Sequence, residues 1–152
     1  MVLILLYLIQ SQNSEEKNSK EIIIVSVSRQ TYSKGIDLLI EIILEVCKQF
    51  PNLKFVIGGD GTKKPLLELT IETSNLQDRV ILTGVLGHNK VCYIMIKGNI
   101  YLNTSLTESF CIATIEAVST GLYTITTDVG GIGEVLPDNM VILVNDDKVK
   151  RD

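Results

Sequence analysis

Short apolar runs alternate with helical segments along most of this chain, and that alternation constrains the fold more than any other feature. The first run, residues 22–28 (IIIVSVS), is β-branched and continuous, as a strand buried on both faces of a sheet should be. Five further strands are predicted, at residues 53–58, 80–82, 100–102, 123–126 and 141–144.

The segments between these strands have the pattern of helices. Residues 37–50 carry apolar side chains at helical spacing, and Pro51 ends that helix. Other helices are predicted from Pro65, over residues 88–96, and from the loop after the fourth strand to Gly121, whereas VGGIGE before the last strand is predicted to be a loop. Strands that alternate with helices form parallel sheets, so the chain is predicted to be an α/β domain, a Rossmann-like parallel sheet flanked by helices.

The first 21 residues do not fit this alternation. Residues 1–9 (MVLILLYLI) are apolar, but a membrane-spanning helix needs about 20 such residues, and the positive start of a signal peptide is missing. The stretch is an interfacial segment, a core segment or the truncated start of a longer gene, and we favour truncation. Residues 10–21 are predicted to be a polar, solvated linker, so the domain spans residues 22–146 and a charged tail follows at 147–152.

Composition excludes several classes of function. A net charge of −4, no Trp and 5% aromatic residues argue against a nucleic-acid-binding surface. The three cysteines are odd in number and form no C-x-x-C pair, so neither a disulfide framework nor a zinc site is indicated, and reduced cysteines fit a cytosol-facing domain. His88 is the only histidine, which excludes a multi-histidine metal site within the chain.

The candidate site begins where the strand at 100–102 runs into a polar loop that leads to the next helix. Ligands bind at such carboxyl ends of strands in open α/β sheets, and the unpaired amides that begin a helix favour phosphate. Glu108 lies in the loop, and Glu116, expected about two turns along the helix, could reach a hydroxyl-rich part of the same ligand. The spacing alone is equally compatible with Glu108 as a helix cap and Glu116 as a solvated residue.

Two basic residues, Arg29 and Lys34, flank the turn after the first strand. Arginine can make two charge-assisted hydrogen bonds to a diphosphate and lysine supplies a point charge, although chemistry alone favours two solvated side chains. The sequence G-G-D-G at 58–61 is a tight turn and a weak signal. The pair Gly130-Gly131 either permits a close backbone approach or is only part of a loop.

Five motifs follow one another in the order typical of one enzyme family. They are S-R-x-x-x-x-K-G at 28–35, G-G-D-G at 58–61, D-R-V-x-L-x-G at 78–84, T-E-S-F-C-I-A-T-I-E-A at 107–117 and V-G-G-I-G-E at 129–134. Across residues 22–146 the chain therefore resembles the retaining, GT-B fold glycosyltransferases of family 4. It departs from the family pattern at Gly133, where a proline is usual, so the loop before Glu134 can differ in shape.

Longer stretches, among them FPNLKFVIGGDG and LNTSLTESFC, are similar to family members that transfer N-acetylglucosamine from UDP-N-acetylglucosamine to phosphatidylinositol. Those enzymes begin glycosylphosphatidylinositol-anchor synthesis on the cytosolic face of the endoplasmic reticulum, within a membrane complex of several subunits. The resemblance implies that this chain is the C-terminal, donor-binding domain of such a transferase. The acceptor-binding domain has no counterpart here, so this half is expected to bind the donor, without a metal or other cofactor, but not to transfer the sugar.

Two other functions stay open. One is a non-catalytic nucleotide-sugar-binding or assembly module, and the other is a family 4 transferase with another donor and acceptor.

The resemblance also assigns roles to residues. Arg29 and Lys34 would hold the diphosphate and stabilise its developing charge, and Glu108 would contact the hydroxyls of the sugar. The donor-binding residues would be Val85 near the uracil, the amides of Phe110 and Cys111 at phosphate or sugar, and Glu116 at the ribose hydroxyls.

Overall fold

Six parallel strands form one sheet in the computed structural model, which describes residues 1–15, 21–109 and 111–145. The order across the sheet is β3-β2-β1-β4-β5-β6. The strands are β1 Ile22–Val27, β2 Leu53–Gly58, β3 Val80–Gly84, β4 Ile100–Asn103, β5 Tyr123–Thr127 and β6 Val141–Val144. The helices are α1 Val2–Glu15, α2 Ile36–Gln49, α3 Lys64–Thr73, α4 His88–Lys97, α5 Ile112–Ser119 and α6 Ile132–Val135, with a 3-10 turn at Tyr32–Lys34. The predicted parallel α/β architecture is confirmed.

The direction in which strands are added reverses between β1 and β4. The chain builds β2 and β3 on one side of β1 and then returns to place β4 on the other side. The loops that follow β1 and β4 therefore begin side by side at the carboxyl edge of the sheet and lead to different helices. Such a switch point leaves a crevice, which is where open α/β sheets bind their ligands.

Alternating residues of the central strands supply two separate cores. Ile24 and Ile100 belong to the core beneath α1, α2 and α3. Their neighbours Val25 and Tyr101 belong to the other core, with Val91 and Met95 of α4 and Ala117 of α5. This division follows from the pleat of a strand, which points successive side chains to opposite faces.

Helix α1 includes the first part of the segment predicted to be a linker. Residues 10–15 continue the helix that begins at Val2, so an irregular linker from Gln10 is wrong for that part. Leu5 and Ile9 are fully buried against the core, which favours the core segment among the three alternatives for residues 1–9. Packing of this apolar face, rather than a local pattern, stabilises the helix. Residues 16–20 of the predicted linker and the predicted tail at 147–152 lie outside the described residues.

The described helices include none that is long and apolar enough to cross a membrane.

The segment VGGIGE also differs from its prediction as a loop. The short helix α6 begins within it and ends at Val135, and the amides of Glu134 and Val135 donate to the carbonyl of Gly131 at 3.1 and 3.2 Å. Ile132 is buried and anchors the turn. A single helical turn that contains a glycine has little local signal, so tertiary burial decides its conformation.

Arg79 shows that the D-R-V motif has a structural role. Its guanidinium donates to the carbonyl of Cys47 at 2.7 Å, to that of Leu53 at 3.2 Å and to that of Phe50. These carbonyls lie at the end of α2 and the start of β2, where the last helical carbonyls lack intrahelical partners. Arg79 thus fastens the end of α2 to the beginning of β2.

Gly35 allows the loops after β1 and β4 to meet. Its φ of +68° is left-handed, and a Cβ at this position would lie 1.8 Å from the carbonyl oxygen of Thr104. No other residue fits both the backbone angle and the space.

We expect Gly35→Ala to destabilise the protein far more than Gly121→Ala, the matched control. Gly121 is also left-handed, with φ +82°, but a Cβ there would meet nothing within 4 Å. The control should therefore lower the free energy of unfolding only by the cost of a left-handed alanine, about 1–2 kcal/mol. Gly35→Ala should lower it by about 2 kcal/mol or more in addition, because the backbone around Thr104 must move. Urea unfolding measures both values, and equal losses would show that the contact with Thr104 is unimportant.

Candidate functional site

Three loops at the carboxyl edge of the sheet converge on one cleft. The amide of Leu106, after β4, donates to the carbonyl of Ser33, after β1, at 2.9 Å. The Thr104 hydroxyl donates to the Lys34 carbonyl at 3.1 Å. From the loop after β5, Gly130 approaches the Glu108 carbonyl so closely that a Cβ would lie 1.5 Å from its oxygen. The loop that carries Glu108 is thus held on both sides.

Lys34 and Glu108 form an ion pair in this cleft. The Lys34 Nζ lies 3.1 Å from Oε1 and 2.9 Å from Oε2 of Glu108. The two side chains are only 16% and 7% exposed. A carboxylate with so little access to water needs such a partner, because an unpaired charge would be costly there.

The Ser105 hydroxyl supports the same carboxylate. Ser105 is fully buried, and its Oγ lies 3.1 Å from Glu108 Oε2 and 2.8 Å from Asn103 Oδ1. Its single proton can be donated to one of these oxygens at a time. Sequence reasoning missed Ser105, because only the fold shows that a serine three residues before the glutamate turns back towards it.

The cleft brings three of the predicted site residues together, Arg29, Lys34 and Glu108. It is open to solvent, has a volume of about 610 Å³ and is lined by Arg29, Ser33, Lys34, Thr107, Glu108 and Ser109. Arg29 is exposed, whereas the charge of Lys34 is compensated by Glu108. A cleft with one compensated and one solvated cation is suited to an anionic ligand.

Glu116 lies in a second part of the site. Helix α5 begins at Ile112, so Glu116 is at the start of the second turn rather than two turns along. Its Oε1 lies 2.9 Å from Nδ1 of His88, the first residue of α4. Val85 is exposed in the loop between β3 and α4. The structure thus adds His88 to the predicted residues, whereas the sequence analysis considered this histidine only as a metal ligand and excluded a multi-histidine site.

Cys111 is the cap residue of α5 and has the character of a packed, neutral thiol. Its Sγ lies 2.7 Å from the Thr114 hydroxyl and accepts from Asn103 Nδ2 at 3.7 Å. Burial raises the pKa of the Cys111 thiol, so the sulfur is not prepared to act as a nucleophile. The predicted amide contacts of Cys111 with a ligand remain a prediction, and Phe110 lies outside the described residues.

The G-G-D-G segment joins the loops after β1 and β2. A Cβ on Gly59 would lie 1.8 Å from the Ser28 carbonyl oxygen, and one on Gly61 would lie 2.4 Å from that of Gln30. Gln30, fully buried, donates from Nε2 to the Gly59 carbonyl at 3.1 Å. The motif that the sequence indicated only as a tight turn therefore fixes the base of the loop that carries Arg29 and Lys34.

Comparison with protein families identifies what this architecture is similar to. A family model described as "Glycosyl transferases group 1" matches residues 9–150. A phosphatidylinositol N-acetylglucosaminyltransferase subunit of Arabidopsis thaliana is 53% identical over 126 residues, which are 83% of this chain and 28% of that protein. The human protein of the same name is 54% identical over 122 residues, 80% of this chain and 25% of that protein. The resemblance drawn from the motifs is confirmed, and the chain spans about a quarter of the length of these relatives.

Solved structures agree with this assignment. The pneumococcal O-GlcNAc transferase GtfA, in complex with UDP and GlcNAc, superposes with a TM-score of 0.74 at 26% identity, covering 90% of this chain and 28% of that one. The C-terminal domain of the group 1 family protein LpcC from Francisella tularensis gives a TM-score of 0.74 at 23% identity. The superposition covers 93% of this chain and 76% of that one. The second likeness concerns the fold alone. The predicted match to the C-terminal domain of GT-B transferases is confirmed.

We expect Lys34→Met to lower the free energy of unfolding by about 1–3 kcal/mol, because it leaves the Glu108 carboxylate buried without its cation. The double variant Lys34→Met/Glu108→Gln should be more stable than Lys34→Met alone, since the amide carries no charge. Urea unfolding of both single variants and the double variant gives the coupling energy. Additive losses would show that the two side chains do not interact in solution.

Proposed function

Because the chain belongs to the group 1 glycosyl transferase family, we propose that it is the donor-binding half of a retaining transferase that uses UDP-N-acetylglucosamine. The observation that carries this proposal is the cleft at the switch point, which holds Arg29, Lys34 and Glu108 together. The complex of GtfA with UDP and GlcNAc supports the choice of donor, since that protein shares this fold at 26% identity.

Arg29 and Lys34 are proposed to bind the diphosphate. When the bond between the anomeric carbon of the sugar and the diphosphate oxygen breaks, negative charge grows on the leaving diphosphate. Fixed cations stabilise that charge more than they stabilise the intact donor, and this difference lowers the barrier. Lys34 is already held by Glu108, so its position costs little reorganisation when the donor binds.

Glu108 is proposed to accept hydrogen bonds from hydroxyls of the sugar. Its carboxylate is oriented by Lys34 and Ser105 before any ligand arrives. A carboxylate has about four lone-pair positions, so these contacts leave room for a sugar hydroxyl. This arrangement couples the sugar to the same ammonium group that is proposed to contact the diphosphate.

Glu116 and Val85 are proposed to hold the nucleoside. Glu116 would accept from the ribose hydroxyls, and Val85, exposed at the start of the loop before α4, would contact the uracil. Helix α5 begins between Glu108 and Glu116 in the sequence. Its first backbone amides, which have no intrahelical acceptors, would face phosphate or sugar.

We further propose phosphatidylinositol as the acceptor, with transfer as the first step of glycosylphosphatidylinositol-anchor synthesis at the cytosolic face of the endoplasmic reticulum. The support is the identity of about half of the aligned residues with two proteins named as subunits of phosphatidylinositol N-acetylglucosaminyltransferase. Since this chain spans about a quarter of their length, acceptor binding and contact with other members of a membrane complex belong to the whole protein.

UDP should bind the purified chain equally well with EDTA and with Mg²⁺, because side-chain cations take the place of a metal at the diphosphate. Arg29→Gln should weaken UDP but not uridine, whereas Lys48→Gln, at an exposed position in the last turn of α2, should change neither. Isothermal titration calorimetry measures these affinities. A folded sample that binds no UDP species, or only with Mg²⁺, would count against the proposed function.

The two glutamates should respond differently to ligand. Glu116→Gln removes a charge-assisted acceptor worth about 1.5–3 kcal/mol, so UDP and UDP-N-acetylglucosamine should both bind about 10- to 150-fold more weakly. Glu108→Gln should weaken the UDP-sugar more than it changes UDP binding, because UDP is affected by Glu108 only through Lys34. Glu72→Gln, exposed on α3, is the matched control. Thermal melts first establish that each variant folds, and unchanged affinities in all three variants would make both glutamates structural.

A further inference from the structure

His88 and Glu116 meet because two consecutive helices pack on the same face of the sheet. Val91 and Met95 of α4 share a core with Ala117 of α5. This packing places His88, at the start of α4, over the second turn of α5. The contact of 2.9 Å joins Nδ1 to one carboxylate oxygen, Oε1. The Glu116 side chain is 21% exposed, while that of His88 is 72% exposed, so the imidazole is the more solvated member of the pair.

The remaining polar atoms of this pair are Nε2 of His88 and Oε2 of Glu116. Nε2 of His88 lies 3.8 Å from Sγ of Cys92, one turn further along α4. A thiol that donates weakly to Nε2 favours the tautomer with its proton on Nδ1, and that proton is donated to Glu116. Within the part of the chain that the structure describes, Oε2 of Glu116 has no hydrogen-bond partner.

We propose that His88 is a positioning residue for the ribose of the donor nucleotide. It engages Oε1 of Glu116 and thereby fixes the carboxylate so that Oε2 is presented to the ribose hydroxyls. This inference rests on the proposed function, in which Glu116 accepts from the ribose, and it adds the residue that orients that acceptor.

The physical basis is the freedom of a glutamate side chain. Three rotatable bonds separate its carboxylate from the backbone, and ordering such a side chain on binding costs free energy because rotamer freedom is lost. A hydrogen bond that orders the carboxylate beforehand removes part of that cost from ligand binding. A merely structural contact between partly exposed groups would instead add a little stability and leave affinity for the nucleotide unchanged.

Two substitutions separate the effect of the hydrogen bond donated by Nδ1 from the effect of the volume of the ring. His88→Asn keeps an N–H donor near the position of Nδ1, and His88→Phe keeps a ring but has no donor. Titrations of UDP and 2′-deoxy-UDP into each variant, in EDTA, report on the ribose contact. We expect His88→Phe to bind UDP about 3- to 10-fold more weakly than the wild type and to discriminate less against 2′-deoxy-UDP. His88→Asn should retain most of the wild-type affinity for UDP and most of the preference for UDP over 2′-deoxy-UDP.

The effect of His88→Phe should vanish in a Glu116→Gln background, because there is then no carboxylate to orient. If His88→Phe binds both nucleotides as the wild type does while Glu116→Gln binds them weakly, this inference is overturned and the proposed function stands. Equal losses in His88→Asn and His88→Phe would also overturn it, since a retained donor should rescue binding. If the wild-type chain binds no UDP, the proposed function fails and the inference fails with it. Thermal melts confirm beforehand that each variant is folded.

Discussion

The site depends on one close approach, that of the Gly35 backbone to the Thr104 carbonyl. A side chain at Gly35 would overlap that oxygen, so the loops after β1 and β4 can lie against one another only because a glycine is there. Gly130 makes the same kind of approach to the Glu108 carbonyl from the loop after β5. Backbone packed on backbone leaves little freedom, so these two contacts restrict the position of the loop that carries Glu108.

The packed loops hold the charged side chains of Lys34 and Glu108 at positions with little exposure to solvent. The charges of Lys34 and Glu108 compensate one another within the cleft, and the Ser105 hydroxyl forms a hydrogen bond with the Glu108 carboxylate. The second part of the site repeats the arrangement with a weaker partner, since His88 contacts Glu116 at a more exposed position. Each proposed ligand-binding glutamate is thus oriented by a neighbouring side chain before a ligand arrives, which is how preorganised polar sites lower the cost of binding.

The strands could be predicted well because each has a strong local signal. The bounds of β2 and β6 agree with those predicted, because both are short, mainly apolar runs bounded by polar or turn-forming residues. The errors fall where the local signal is weak. Residues 10–15 are polar yet helical, because the helix is anchored by Leu5 and Ile9 in the core. Helix α6 is a single turn that contains Gly133, and it forms because Ile132 is buried.

Local periodicity and motif order were enough to predict the α/β alternation, the edge of the sheet at which a ligand would bind, and the residues Arg29, Lys34, Glu108 and Glu116 as candidates. Both kinds of signal can be read along the chain without knowledge of its folded shape. The pairing of Lys34 with Glu108, and of His88 with Glu116, became visible only in the folded molecule. Such pairs join distant segments, and their geometry follows from strand order and helix packing, which no local pattern of residues encodes.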